Sequence, residues 1–111
     1  MADEARQKVE KDKQDIIDGV KTQIAAYKLQ EEWGKAQSLF KTLADTLGDG
    51  DTLIEYADFC KEAGFADEAR TYYQQALDKL SADDSIDNKE REDKKTGIAT
   101  KIDNLKGESA N

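Results

Sequence analysis

Apolar residues recur at intervals of three and four along most of the chain, the spacing of one face of an α-helix. In the first segment, from about Asp3 to Lys28, this stripe comprises Val9, Ile16, Ile17, Val20, Ile24 and Tyr27. In the second it comprises Trp33, Ala36, Leu39, Phe40, Leu43, Ala44 and Leu47. No segment alternates with period two. The pattern therefore predicts helices and no strands.

Turn and capping residues predict where the helices in the middle of the chain begin and end. Gly48 stands just beyond the second stripe, and glycine readily takes the positive φ of a helix C-terminus. Thr52, with Glu55 three residues later, has the form of a capping box, which predicts a third helix beginning near residue 51 or 52. Gly64 ends this helix by the same argument as Gly48.

Two further helices follow. The fourth spans about Ala66 to Leu80. The fifth spans about 87–106 after a polar connection, with Ser85 or Asp87 as its N-cap. The predicted buried faces are Leu53, Tyr56, Ala57 and Cys60 in the third helix, Ala69, Tyr72, Tyr73, Ala76, Leu77 and Leu80 in the fourth, and Ile98, Ala99, Ile102 and Leu105 in the fifth. Because the loops are short, successive helices should pack antiparallel.

The first pair of helices repeats in the second pair. Sliding the sequence by 33 residues places Val20 on Leu53 and Ala36 on Ala69, and repeats of about this length occur in helix-turn-helix arrays. The second pair resembles a tetratricopeptide repeat in the run Leu53-Ile54-Glu55-Tyr56-Ala57, then Gly64, Ala69, Tyr73 and Ala76. The first pair is a weaker match, and the family's terminal proline is absent from both. We therefore expect an all-α single domain of five antiparallel helices, with two tetratricopeptide-like hairpins at about 3–47 and 51–80 and a C-terminal capping helix at about 87–106.

The resemblance implies a candidate binding face. In the tetratricopeptide family the first helix of each hairpin lines a concave groove that binds extended peptides. The matching positions here include Lys21, Lys28, Ile54, Asp58 and Lys61. The family members that grip a C-terminal carboxylate use paired Lys and Asn residues, whereas this chain has Ala25 and Asp58 where amides are wanted. The alternative interpretation, which the mixed charge favours, is a solvated surface.

Composition excludes several kinds of partner. The net charge of −8 disfavours nucleic acid, which requires a basic surface, and also disfavours anionic membranes. No apolar run approaches the roughly 18 residues of a membrane span, and the charged N-terminal residues predict no secretory signal. The single cysteine, Cys60, cannot form an internal disulfide and suits a reducing compartment. We expect a cytoplasmic monomer, if the protein is natural.

Catalytic and metal-binding chemistry is largely excluded as well. The chain has no histidine and one cysteine, so the common Cys/His zinc sites and the His-dependent catalytic triads have no ligands or base. The Asp-rich turn at 48–51 resembles part of a calcium loop. Aligned on Gly50, however, two required oxygen-ligand positions fall on Leu47 and Tyr56. The sequence predicts no catalytic residues, no metal and no cofactor.

Two hypotheses for function remain. The absence of proline and histidine, together with the change from the repeat to a charged fifth helix, favours a designed or engineered helical scaffold without a natural function. The alternative is a natural tetratricopeptide-type module that binds a peptide or protein partner. Irregular features such as Cys60, Gly19 and Gly97 inside helices count against an idealised design.

Overall fold

A computed structural model describes the backbone of residues 2–109 and the side chains of residues 7–105. The chain forms five helices: α1 (Ala2–Leu29), α2 (Trp33–Leu47), α3 (Gly50–Ala63), α4 (Ala66–Ser81) and α5 (Asn88–Ser109). The part of the chain described here contains no strand. The predicted all-α fold is confirmed, and the predicted limits of α1, α2 and α4 agree with the structure to within about one residue.

Glycines end α2 and α3 as the sequence predicts. Gly48 has a φ of 64° and Gly64 a φ of 90°. Beyond α3, the Phe65 amide donates to the Cys60 carbonyl at 2.7 Å, the six-to-one hydrogen bond of a Schellman motif. This motif satisfies carbonyls that the helix end would otherwise leave without a donor, and it turns the chain sharply into α4.

The predicted capping box at the start of α3 is wrong. Asp49 is the N-cap, and its carboxylate accepts a hydrogen bond from the Thr52 amide at 3.1 Å. Thr52 therefore lies inside the first turn, where its side chain is buried rather than capping. Asp and Thr are both good N-caps. Asp49 lies three residues before Thr52, so the first helical residue of α3 is Gly50.

Asp87 caps α5, which decides between the two predicted candidates. Its carboxylate accepts from the Glu90 amide at 2.7 Å. The guanidinium of Arg91 donates to the backbone carbonyls of Asp83 and, at 3.3 Å, Ile86. The connection between α4 and α5 is therefore held by hydrogen bonds to the first turn of α5.

The chain divides into two compact units, Met1–Leu43 and Ala44–Asn111. In the first unit Ile24, Ala36 and Leu43 are buried. The predicted buried stripe of α1 is wrong in its N-terminal half, since Val9 is 65% and Ile16 68% exposed. Helix α1 has 28 residues and α2 has 15. At 1.5 Å per residue α2 is only about half as long as α1.

In the second unit α3 packs against α4, and α4 packs against α5. Small residues, namely Ala57, Ala69 and Ala76, have no exposed surface at all, which allows the helices to approach closely. Tyr56 and Tyr73 are equally buried and fill the space beside them. The single-domain expectation for the whole chain remains a prediction.

Helix α5 is attached through the second half of its length. Ile98 and Leu105 are buried and Ile102 is half-buried, as predicted, whereas Ala99 is exposed. The prediction for Ala99 is wrong because it follows Ile98 directly, about 100° further around the helix. Ile98 therefore lies on the buried face of α5, and Ala99 lies outside that face.

Candidate interaction surface

Three of the five predicted partner-binding residues lie on one face of α3. Ile54, Asp58 and Lys61 are separated by four and three residues, the spacing of neighbours on a helix surface. Ile54 and Lys61 are half-buried, while Asp58 is exposed. The structure thus brings these three side chains onto a common face.

Asp58 is bonded to groups of its own chain. Its carboxylate accepts a hydrogen bond from the Tyr73 hydroxyl of α4. It also accepts from Nζ of Lys101 in α5, at 3.1 Å and 3.2 Å for its two oxygens. The same Nζ lies 5.7 Å from the centroid of the Tyr73 ring, within the range of a cation–π contact. We call these three residues, Asp58, Tyr73 and Lys101, the α5 clamp.

The α5 clamp joins three helices through one carboxylate. The side chains of Lys101 and Asp58 remain 40% and 49% exposed, so solvent screens the ion pair, and pairs of this kind contribute about 0.2–1 kcal/mol. Lys101 is not among the residues predicted from the sequence to bind a partner. A signal for it exists, because Ile98, Lys101 and Leu105 are separated by three and four residues and therefore lie on one face of α5.

The other two predicted residues, Lys21 and Lys28, lie on α1 in the first unit. Lys21 is exposed and Lys28 half-buried, and each takes part in an interaction of its own. Because they belong to a different compact unit from Ile54, Asp58 and Lys61, the five-residue binding groove remains a prediction.

The first unit contains an open groove that the sequence analysis did not predict. Its volume is about 440 Å³, and its lining comprises Tyr27, Gly34, Lys35, Ser38, Leu39 and Thr42. Nζ of Lys35 lies 6.0 Å from the centroid of the Tyr27 ring and 3.1 Å from a carboxylate oxygen of Glu32. A widely open groove with one already paired cation offers a weak hold on a small ligand.

A second polar contact joins Tyr72 of α4 to the last part of α2. Its hydroxyl donates to the Asp45 carboxylate at 2.7 Å, and its ring meets that of Tyr56 edge to face, with centroids 4.6 Å apart. Burial is the main reason that the pKa of the Tyr72 hydroxyl is raised above its ordinary value, and the bond to Asp45 adds to the shift. The hydroxyl therefore releases its proton only at a pH above the ordinary range for tyrosine.

The groups with reactive or ligating chemistry have structural roles. Cys60 is in no disulfide and has no exposed surface, a setting typical of an inert packing residue. Asp49, in the calcium-like turn at 48–51, caps α3, and Asp45, which precedes the turn in α2, accepts from Tyr72. Among the described side chains, no three acidic, cysteine or histidine residues are grouped so as to hold a metal ion. No described helix is long and apolar enough to cross a membrane.

Comparisons with protein-family models, with curated proteins and with solved structures each gave no match. The tetratricopeptide resemblance therefore stays a prediction based on the residues that carry it.

Proposed function

We propose that this protein is a non-enzymatic helical scaffold whose polar side chains serve mainly to join its own helices. The observation that carries the proposal is the α5 clamp. Asp58 is the acidic residue expected to meet a partner, and its carboxylate is bonded instead to Tyr73 and Lys101. The α3 face then has an internal structural role, which favours the solvated-surface interpretation over a peptide groove.

The remaining polar contacts support the same proposal. Asp45 receives the Tyr72 hydroxyl, Asp49 caps α3 and Asp87 caps α5. Cys60, the side chain with the strongest nucleophilic character in the chain, has no exposed surface, so it is not placed to attack a substrate. An engineered origin is part of this proposal, and it is supported by the absence of proline and histidine from the chain.

The second candidate is a protein-binding module, and the exposed aliphatic residues of α1 favour it. Val9, Ile16 and Leu29 are 65%, 68% and 87% exposed. Single exposed aliphatics are ordinary. Val9 and Ile16, however, are seven residues apart on the same helix face, an arrangement that can present an apolar strip to another protein.

Affinity capture from a cell lysate separates the two candidates. The bait is the whole chain, compared with the triple variant Lys21→Ser, Lys28→Ser, Ile54→Ser and with the double variant Val9→Ser, Ile16→Ser. Circular dichroism of each bait checks that the helices remain. The scaffold proposal predicts that no protein is captured reproducibly by the unmodified chain.

A reproducible partner that the triple variant loses would overturn the scaffold proposal and restore the predicted groove. A partner lost only by the Val9 and Ile16 variant would overturn it as well, in favour of binding through α1. A matched control is Lys11→Ser with Asp15→Ser, which alters exposed positions on the opposite face of α1 from Val9 and Ile16 and should leave any capture unchanged.

A further inference from the structure

Helix α5 has two halves of different character. In the first half, two ion pairs run along the helix itself, from Lys94 to Glu90 at 3.4 Å and from Lys95 to Glu92 at 3.7 Å, and Arg91 reaches back only to the connection before α5, where it lies 4.0 Å from Asp84. These pairs stabilise the helix but do not attach it to α3 or α4. Attachment depends on the second half, where Ile98 and Leu105 are buried.

The attached half of α5 presents a short recognition pattern. Ile98 and Leu105 supply apolar anchors seven residues apart, with half-buried Ile102 between them. Lys101 stands three residues after Ile98 and reaches the Asp58 carboxylate. The receiving surface on α3 and α4 contributes one anion, Asp58, and one aromatic ring, Tyr73, whose hydroxyl also bonds that anion. The apolar anchors and the lysine together favour one register of α5 on this surface.

We propose that the surface of α3 and α4 beneath α5 is a helix-docking site that the chain fills with its own α5, and that its intermolecular ligand is the α5 of a second copy. The second copy fits because it carries the same anchors and the same lysine. In the unmodified chain α5 is tethered by the short connection at 82–87, so its effective concentration at the docking site is of the order of a millimolar or higher. The intramolecular arrangement therefore predominates, and the unmodified protein is a monomer.

This inference goes beyond the scaffold proposal and does not depend on it. A self-recognising docking site can exist in a protein that captures no other protein. Conversely, capture of a foreign partner through Lys21, Lys28 or Val9 would leave the docking site unaffected. The two proposals therefore fail by different experiments.

Two full-length charge-reversal variants test the inference. Asp58→Lys places a lysine opposite Lys101, and Lys101→Glu places a glutamate opposite Asp58, so each variant alone sets like charges against each other in its own clamp. When the two are mixed, exchange of α5 restores opposite charges in both clamps. The introduced glutamate then meets the introduced lysine in one clamp, and the original Lys101 meets the original Asp58 in the other. The matched control carries both substitutions in one chain, which restores opposite charges without exchange.

We expect each single variant to remain a monomer and to exchange its α5 amide hydrogens several-fold faster than the unmodified chain. Sedimentation at low ionic strength should show a 1:1 heterodimer in the mixture at concentrations of about a millimolar, comparable with the effective concentration it must overcome. Added salt should weaken the heterodimer, since it screens exposed charges. The control chain should stay monomeric and keep α5 protected.

Three results would overturn the inference. The first is a mixture that remains monomeric although the α5 amide hydrogens exchange rapidly in both single variants. The control chain could dimerise as strongly as the mixture, which would place the contact elsewhere. Finally, α5 could stay equally protected in both single variants, which would show that the clamp does not select the docked helix.

Discussion

Replacing Ala69 with leucine should destabilise the protein markedly, because the position has no room for a larger side chain. Ala69 has no exposed surface, and neither do Ala57, Tyr73 and Ala76 in the same two helices. Leucine adds three carbon atoms where α3 and α4 pack together, and insertions of this kind into a packed core cost about 1–3 kcal/mol. Alanine and leucine have similar helix propensities, so backbone preference adds little.

The matched control is Ala66→Leu, at the first residue of α4, where the side chain is only half-buried. Thermal unfolding followed by far-ultraviolet circular dichroism measures both variants. A loss of 1 kcal/mol lowers Tm by roughly 4–8 °C in a domain of 60–100 residues. Ala69→Leu should therefore melt on the order of 10 °C below the unmodified chain, and Ala66→Leu within a few degrees of it. Equally small effects at both positions would show that Ala69 does not lie at a close helix crossing.

Three other outcomes follow from the same contacts. Asp49→Ala should lower the free energy of unfolding by about 1 kcal/mol through loss of the N-cap, whereas Glu55→Ala should change it by less than about 0.5 kcal/mol. Urea denaturation measures both variants, and a larger loss for Glu55→Ala would favour the capping box instead. The raised pKa of Tyr72 means that the unfolded chain releases this proton first as pH rises above about 10, so stability should fall there. Melts between pH 8 and 11 should show a shallower fall in Tyr72→Phe, and identical slopes would refute this. Calorimetric titration with calcium or zinc at sub-millimolar concentrations should give no saturable heat, and a stoichiometric isotherm would show that the turn at 48–51 binds metal after all.

Local signals predicted the helices well. Gly48 and Gly64 take the positive φ values that were predicted for the ends of α2 and α3. The three-and-four spacing of apolar residues also locates α2 correctly. Competing local signals were harder to resolve. Asp49 and Thr52 are both capable N-caps, and the choice between them depends on whether Thr52 is buried in the folded unit. A single sequence does not specify that burial.

The longer-range features could not be predicted from periodicity. Val9 and Ile16 continue the apolar stripe of α1, yet they are exposed, since helical spacing does not indicate how far along a helix other elements cover it. The α5 clamp joins residues 43 positions apart, Asp58 and Lys101. Helical spacing indicates which face of α5 Lys101 occupies, but it does not indicate which carboxylate that face meets. The sequence therefore singles out Asp58 but not the lysine of its own chain that it binds.

A double-mutant cycle on the α5 clamp tests most directly whether Asp58 serves its own chain. Asp58→Lys, Lys101→Glu and the chain carrying both are unfolded with urea at low ionic strength. Each single reversal should lower the free energy of unfolding by about 0.5–2 kcal/mol, since a partly exposed attraction becomes a repulsion of similar size. The double reversal should recover the part of that loss that belongs to the ion pair, while the contacts of Tyr73 with Asp58 and Lys101 stay lost, and the recovery should shrink in high salt. Purely additive losses, with no recovery in the double variant, would contradict the account by showing that Asp58 and Lys101 do not interact.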